Sequence, residues 1–229
     1  MATTLSKRPH THVEIPADGC RLHGVLGARA KLRGLVVLAH DAGGDSAAWT
    51  RVANALERRG FATLSLDLIT AADAAIERRM RHSHFEVTML AARLVALVDW
   101  AQCQPETTLR PIGIIGAGDD GGAALVASAL RPRAIAAVVV CDSPVDLAGP
   151  ALKEISAPTL LIVGSQQGAA LAVNRQAMGR MPGEVVLGIV PQVSESQVGG
   201  GDADAVAALA VQWFERYLVK PSVREAEVW

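Results

Sequence analysis

The sequence predicts an α/β fold, in which a mostly parallel central sheet of about eight strands carries helices on both faces. Short, continuously apolar runs recur along the chain and are typical of strands that are buried on both sides. Segments with apolar residues at helical spacing lie between them. Because strands alternate with helices, right-handed crossovers and parallel pairing are expected. In such sheets, ligands bind beyond the carboxyl ends of the strands.

The first half of the chain begins with a predicted hairpin. Its strands are Thr11–Pro16 and Cys20–Leu26, and the Asp18-Gly19 pair between them favours a tight turn. The elements that follow are a buried strand over Gly34–Ala39, a helix over Ser46–Arg59, a strand over Phe61–Asp67 and a helix from Phe85 to about Cys103.

The middle of the chain holds the stretch on which the functional interpretation depends. An apolar run beginning at Pro111 ends in small residues at Gly116, and a helix is predicted from about Asp119 to Leu130. This is the outline of a strand, a sharp turn and a helix. The remaining predicted elements are strands over Ile135–Val140, Thr159–Val163 and Glu184–Val190 and helices over about Ala169–Met181 and Asp202–Leu218.

Length and composition limit the class of protein. The 229 residues suit a single α/β domain over residues 11–219, with a flexible N-terminus at 1–10 and a C-terminal tail at 220–229. The three cysteines are odd in number and far apart, which favours a reducing compartment. No signal-peptide core and no apolar run of about 18–20 residues is visible, so a cytoplasmic location without a membrane span is expected.

The charge and the aromatic content argue against several partners. A formal net charge of −1 and 3% aromatic residues do not fit a nucleic-acid binder. The glycine runs Gly121-Gly122 and Gly199-Gly200-Gly201 lack the Lys-Ser/Thr of a P-loop, and no cofactor is predicted. His82 and His84 have no obvious carboxylate or cysteine partner, so no metal site is predicted.

Several segments, in this order and spacing, resemble the dienelactone-hydrolase-like family of the α/β-hydrolase superfamily. Together they cover about residues 20–218. They are Gly34–His40, Phe61–Thr70, Asp99–Glu106, the stretch 111–125, Asp146–Gly149, Ala157–Gly164 and Trp213-Phe214. The resemblance implies a central sheet of about eight strands, and relatives that act as esterases or lactonases through Ser or Cys, His and Asp.

The same resemblance places the catalytic residues of the family on three positions that lack their chemistry. The nucleophile of the G-x-S-x-G turn falls on Gly118, within Gly116-Ala117-Gly118-Asp119-Asp120. The acid falls on Gln167, and the histidine falls on Glu195. No histidine follows His84. The triad is therefore predicted to be degenerate, which favours a non-hydrolytic protein that binds a small molecule or a protein partner.

An alternative keeps catalysis by other residues. Shifted by one position, the turn presents Asp119, and an aspartate nucleophile or base would need His40 or His82 as its partner. The activity would then be that of a divergent hydrolase of carboxylic esters or lactones, or of another enzyme that acts on small molecules. The competing interpretation is that Asp119 and Asp120 favour the positive end of a helix. The sequence leaves the oligomeric state open.

A pocket is expected above the strand ends, lined by Asp41, Ala42, Asp119 and Asp142. His40 and Asp41 lie where the family builds part of its oxyanion hole. The carboxylates, together with Glu195, would favour cationic or hydroxyl-rich ligands. Cys141 is interpreted as a small buried hydrophobic residue.

Overall fold

Eight strands form one sheet in the order β1-β2-β4-β3-β5-β6-β7-β8. The structure, a computed structural model, describes residues 10–28, 32–40, 46–80, 87–191 and 203–219, without the side chains of residues 46 and 76–80. The predicted flexible terminus and tail lie outside these ranges, residue 10 excepted. The strands are β1 (Thr11–Ala17), β2 (Cys20–Gly27), β3 (Leu35–Ala39), β4 (Ala62–Leu66), β5 (Ile112–Ala117), β6 (Ile135–Cys141), β7 (Thr159–Gly164) and β8 (Val185–Val190).

Helices connect the parallel strands. They are α1 (Ser46–Arg58), α2 (Ala71–Met80), α3 (Val87–Cys103), α4 (Asp119–Leu130), α5 (Gly168–Met178) and α6 (Ala203–Leu218). None of the helices in the described ranges has both the length and the apolar character that crossing a bilayer requires. The predicted α/β architecture is confirmed.

The sheet begins with the predicted hairpin. Strands β1 and β2 pair antiparallel, and Ala17 lies opposite Cys20. Asp18 and Gly19 both have positive φ, 39° and 75°, as the two central residues of a type I′ turn require. Strand β2 is also antiparallel to β4, and β3 to β8 run parallel to their neighbours.

Two hydrophobic cores lie on opposite faces of the sheet. Because side chains alternate along a strand, Leu35, Val37 and Ala39 of β3 pack into one core and Val36 and Leu38 into the other. The first core also takes the buried side chains of α3 and α4, whereas the second takes those of α1 and α6. Double burial explains why the central strands are apolar at every position.

Helix α2 has no counterpart among the predicted elements, and the structure differs from them in two further details. The helix predicted to reach Met181 ends at Met178, and Gly179 is its C-terminal cap. An unpredicted pair of 3₁₀ turns occupies Val145–Glu154 and is broken at Gly149, whose φ is 53°. Pro144 and Pro150 interrupt any helical pattern there, so the sequence shows no periodicity that would have indicated these turns.

Candidate functional site

A single residue, Gly118, turns the chain from β5 into α4. Its φ of 56° and ψ of −129° are sparsely populated by residues with a side chain, whereas glycine adopts them readily. A Cβ built on Gly118 would meet no atom of the described residues within 4 Å. The turn thus has the sharp strand-to-helix geometry that holds a nucleophile in hydrolases, but it carries no side chain.

The neighbouring glycines are required because α4 passes close to the sheet. A Cβ on Gly116 would lie 2.6 Å from the carbonyl oxygen of Asp120. A Cβ on Gly121 would lie 2.7 Å from the Cβ of Ser143. Real Cβ atoms do not approach other atoms so closely, so the small residues around the turn are explained by packing.

These glycines also form a G-x-G-x-x-G spacing, which the prediction of no cofactor overlooked. Gly116, Gly118 and Gly121 stand between a strand and a helix, as in dinucleotide-binding turns. However, Asp119 and Asp120 occupy the first turn of α4, where a pyrophosphate would need a positive helix end without carboxylates. Since packing already accounts for the glycines, the spacing does not support nucleotide binding.

Asp119 and His40 are not brought together by the fold. Asp119 is half-buried and makes no side-chain hydrogen bond or ion pair with any residue that the structure describes. His40 ends β3, and its ring stacks on Trp49 of α1 with centroids 5.0 Å apart and planes 16° apart. Helix α1 packs on one core of the sheet and α4 on the other. The pairing of Asp119 with His40 is therefore not formed, whereas His82, the other partner that the alternative function could use, lies outside the described residues.

Asp142 stands directly after β6 in a strained conformation. Its φ is 42°, and its Oδ1 accepts a hydrogen bond of 3.0 Å from the backbone N–H of Gly164. Burial raises the pKa of Asp142 from 3.8 to about 6, against the opposing effect of that hydrogen bond. A half-buried carboxyl group that titrates near neutrality therefore lies at the carboxyl edge of the sheet. The sequence suggested Asp142 for the pocket without indicating its strain.

Two further residues at this edge have structural roles. Gln167 caps the N-terminus of α5 through its backbone, and its side chain makes no cap hydrogen bond. Cys141 is 1% exposed, and burial raises the pKa of its thiol far above the usual range. The thiol is therefore protonated and shielded, which makes it unsuitable as a nucleophile.

The remaining candidates lie outside the described residues. They are Asp41, Ala42, His82 and Glu195. Within the described ranges, no group of three or more His, Cys, Asp or Glu side chains is arranged to hold a metal ion. Three cavities of about 400, 380 and 260 Å³ are described, and of the candidate residues only His40 lines one of them.

Comparison with solved structures relates this fold to hydrolases. A dienelactone hydrolase from Anabaena variabilis ATCC 29413 is 38% identical, with a TM-score of 0.84 over 92% of this chain and 98% of its own. The esterase Est1E from Butyrivibrio proteoclasticus is 15% identical, with a TM-score of 0.67 over 89% of this chain and 99% of its own. The second likeness concerns the fold alone.

Comparison with curated proteins finds relatives that are named for an activity other than hydrolysis. Two Mycobacterium tuberculosis proteins, from strains CDC 1551 and H37Rv, are each 38% identical over 211 residues and are each named as a proposed phosphoribosyl transferase. The match covers 91% of this chain and 47% of each relative, so the chain spans about half of their length. No model of a protein family matches the sequence.

Proposed function

The chain belongs to the dienelactone hydrolase family of the α/β-hydrolase superfamily, and we propose that it is a non-hydrolytic member that binds a small molecule or a protein partner. The observation that carries this proposal is Gly118. The residue at the tip of the turn has the backbone conformation expected of a nucleophile and space for a side chain, yet it has none. No group at this position can therefore form a covalent intermediate.

The other two triad positions support the same interpretation. The amide of Gln167 replaces the family's acid, and an amide cannot stabilise an imidazolium as a carboxylate does. Glu195 replaces the histidine in the sequence. Asp142 supplies a carboxyl group near the turn, but the described residues bring no histidine to it. A weakly basic carboxyl group alone favours binding of hydroxyl or cationic groups over acyl transfer.

The decisive assay is turnover of p-nitrophenyl acetate, p-nitrophenyl butyrate and an aromatic lactone by the purified chain. We expect rates equal to those in buffer for the wild type and for Asp119→Asn and His40→Ala. A rate above buffer that disappears in Asp119→Asn or His40→Ala would instead establish the alternative, a divergent ester or lactone hydrolase that uses these side chains.

A gain-of-function variant separates a missing nucleophile from a missing base. Gly118→Cys introduces a thiol where the structure leaves room for it. With p-nitrophenyl acetate, we expect one more equivalent of p-nitrophenolate than the wild type releases and then no further release. Acylation needs only a thiolate, whereas deacylation needs a base. Sustained turnover by Gly118→Cys would show that a base is present and would contradict a fully degenerate site.

A second candidate role follows from the mycobacterial relatives. Their name describes phosphoribosyl transfer, and about half of each lies outside the match. We infer that a partner of this chain is a protein of that activity. Size-exclusion chromatography of this chain, mixed with the purified unmatched half of the H37Rv protein, tests the inference. Co-elution supports it, and separate elution at micromolar concentrations counts against it.

A further inference from the structure

A cavity of about 260 Å³ lies between α1 and the part of the sheet formed by β2 and β4. It is separate from the turn at Gly118, which does not line it. Its lining includes Glu57 of α1, a carboxylate side chain whose residue is only 8% exposed. A charge that is buried this deeply requires compensation, because removing it from water is costly.

The contacts of Glu57 use only part of the hydrogen-bond-accepting capacity of its carboxylate. The hydroxyl of Thr63 donates a hydrogen bond of 2.7 Å to Oε1. His10 Nε2 lies 3.1 Å from Oε1 and 3.4 Å from Oε2, and the His10 side chain is 52% exposed. A carboxylate offers about four acceptor positions. These two donors therefore leave room for a ligand that donates from the cavity.

The wall opposite α1 is polar where an apolar wall is expected. On β3, Val36 and Leu38 face α1 and pack in the core on that side of the sheet. At the neighbouring positions of β4, the side chains are those of Thr63 and Ser65. The Ser65 hydroxyl makes no hydrogen bond with any described residue. Polar groups in a helix–sheet interface are unfavourable unless they are hydrogen-bonded. Thr63 is satisfied by Glu57, whereas the half-buried hydroxyl of Ser65 is left for a ligand in the cavity.

The charge of the lining selects the type of ligand. Among the described residues that line the cavity, Glu57 is the only one with a formal charge at neutral pH, apart from the two histidines, and none is Lys or Arg. Trp49, Val25 and Leu66 supply apolar surface on the other walls. An ammonium group next to an apolar body complements both features.

We propose that this cavity is a binding site for a small primary amine. The ammonium group donates to Glu57 and to the Ser65 hydroxyl, and the apolar body packs against Trp49, Val25 and Leu66. The volume is below the range of drug-sized pockets, so the ligand is a small molecule with a short aliphatic or single aromatic body. The half-exposed side chain of His10 contacts the same carboxylate.

The test compares benzylamine with benzyl alcohol, which have the same size and differ in charge at pH 7.5. Isothermal titration calorimetry on the full chain should show benzylamine binding at least tenfold more tightly than benzyl alcohol. Glu57→Gln should weaken benzylamine binding at least tenfold, because the amide keeps the shape and loses the charge. The same substitution at the exposed Glu154 is the matched control and should leave the dissociation constant unchanged.

A second variant keeps the proposal testable if Glu57→Gln fails to fold. Ala53→Leu fills the cavity from α1 and leaves the contacts of Glu57 in place. It should weaken benzylamine binding at least tenfold while the circular dichroism spectrum stays that of the wild type. Equal affinities for benzylamine and benzyl alcohol, wild-type affinity in Glu57→Gln or Ala53→Leu, or no binding of benzylamine at millimolar concentration would each overturn the proposal. None of these results depends on whether the turn at Gly118 is catalytic.

Discussion

At the scale of single residues, the candidate site combines two strained positions that differ in chemistry. Gly118 and Asp142 both have positive φ, and they follow the neighbouring strands β5 and β6. Glycine relieves the strain at the first position, whereas Asp142 retains it and is also half-buried. Strain and buried charge are costs that proteins keep mainly at functional sites. Asp142 combines both of these costs at this edge of the sheet.

Replacing Asp142 should stabilise the protein in a way that depends on pH. The pKa of Asp142 is about 6 in the folded protein and 3.8 in the reference state. The contribution of Asp142 to the free energy of unfolding is therefore fully present below pH 4 and is lost as the pH rises through 6. We expect Asp142→Asn to raise the free energy of unfolding by about 1–2 kcal/mol at pH 7.5 and by less at pH 4.

Urea denaturation at the two pH values measures this difference. The exposed Asp146, substituted by Asn, is the control and should change the free energy of unfolding by less than about 0.5 kcal/mol at either pH. A destabilisation by Asp142→Asn at pH 7.5 would show that ionised Asp142 is stabilised by a contact that outweighs its burial.

Adding a methyl group to Gly118 should destabilise the folded protein because of the backbone conformation alone. The Cβ meets none of the described residues, but the φ of 56° and ψ of −129° are unfavourable for alanine. Gly118→Ala should lower the free energy of unfolding by about 1–2 kcal/mol. Gly179 has φ −66°, so Gly179→Ala is the matched control, without a loss of stability. Equal thermal midpoints for Gly118→Ala and the wild type would refute the strained conformation.

At the scale of elements, the position of α4 against the sheet determines the geometry of the turn. Gly121 and Gly122 are adjacent in this helix but face different surroundings. A Cβ on Gly121 would lie 2.7 Å from Ser143 and 2.8 Å from Val140. A Cβ on Gly122 would lie 3.3 Å from the Cβ of Leu147 and 3.5 Å from the methyl groups of Val87, and the second distance is an ordinary contact. The approach is therefore impossibly close only at Gly121, whereas at Gly122 the exposed Leu147 can shift by a few tenths of an ångström.

This difference predicts opposite effects of the same substitution. Alanine is favoured over glycine in a helix by about 1 kcal/mol. Gly122→Ala should therefore be neutral or slightly stabilising. Gly121→Ala should destabilise by about 1–3 kcal/mol, because the added methyl group overpacks the contact with β6. Chemical denaturation of both variants provides the comparison. Equal effects at the two positions would contradict the packing of α4 described above.

At the scale of the whole molecule, the sheet separates two cores, and its central strands are the best-protected part of the described chain. Cys141 ends β6 between β5 and β7 and is 1% exposed, whereas Cys103 ends α3 and is exposed. Strands in such a position open only when the domain unfolds globally. Modification of Cys103 therefore requires no unfolding, whereas modification of Cys141 requires global unfolding of the domain.

Alkylation should distinguish these thiols. In the native protein at pH 8, iodoacetamide should modify Cys103 quickly and should leave Cys141 unmodified, because burial excludes the reagent and raises the pKa of the thiol. Cys141 should become reactive only across the urea transition, followed by mass spectrometry of tryptic peptides. Modification of native Cys141 at the rate of Cys103 would mean that β6 opens locally.

The sequence by itself determined most of the elements and their order. The hairpin at Asp18-Gly19 and the bounds of α4 follow from local signals, which are the turn chemistry of a few residues and the periods of 3.6 and 2 that bury one face. It also placed Gly118 at the tip of a strand-to-helix turn, because that pattern is contiguous in the chain.

Only the tertiary structure decided which side chains meet. Hydrophobic periodicity predicts that a residue faces a core. It does not predict which residue packs against it, since that partner can lie anywhere in the sequence. His40 therefore stacks on Trp49 and not beside Asp119. Glu57 meets His10 across 47 positions of sequence, and Asp142 accepts a hydrogen bond from Gly164 of the neighbouring strand β7. These contacts depend on packing between distant segments, which no local pattern encodes.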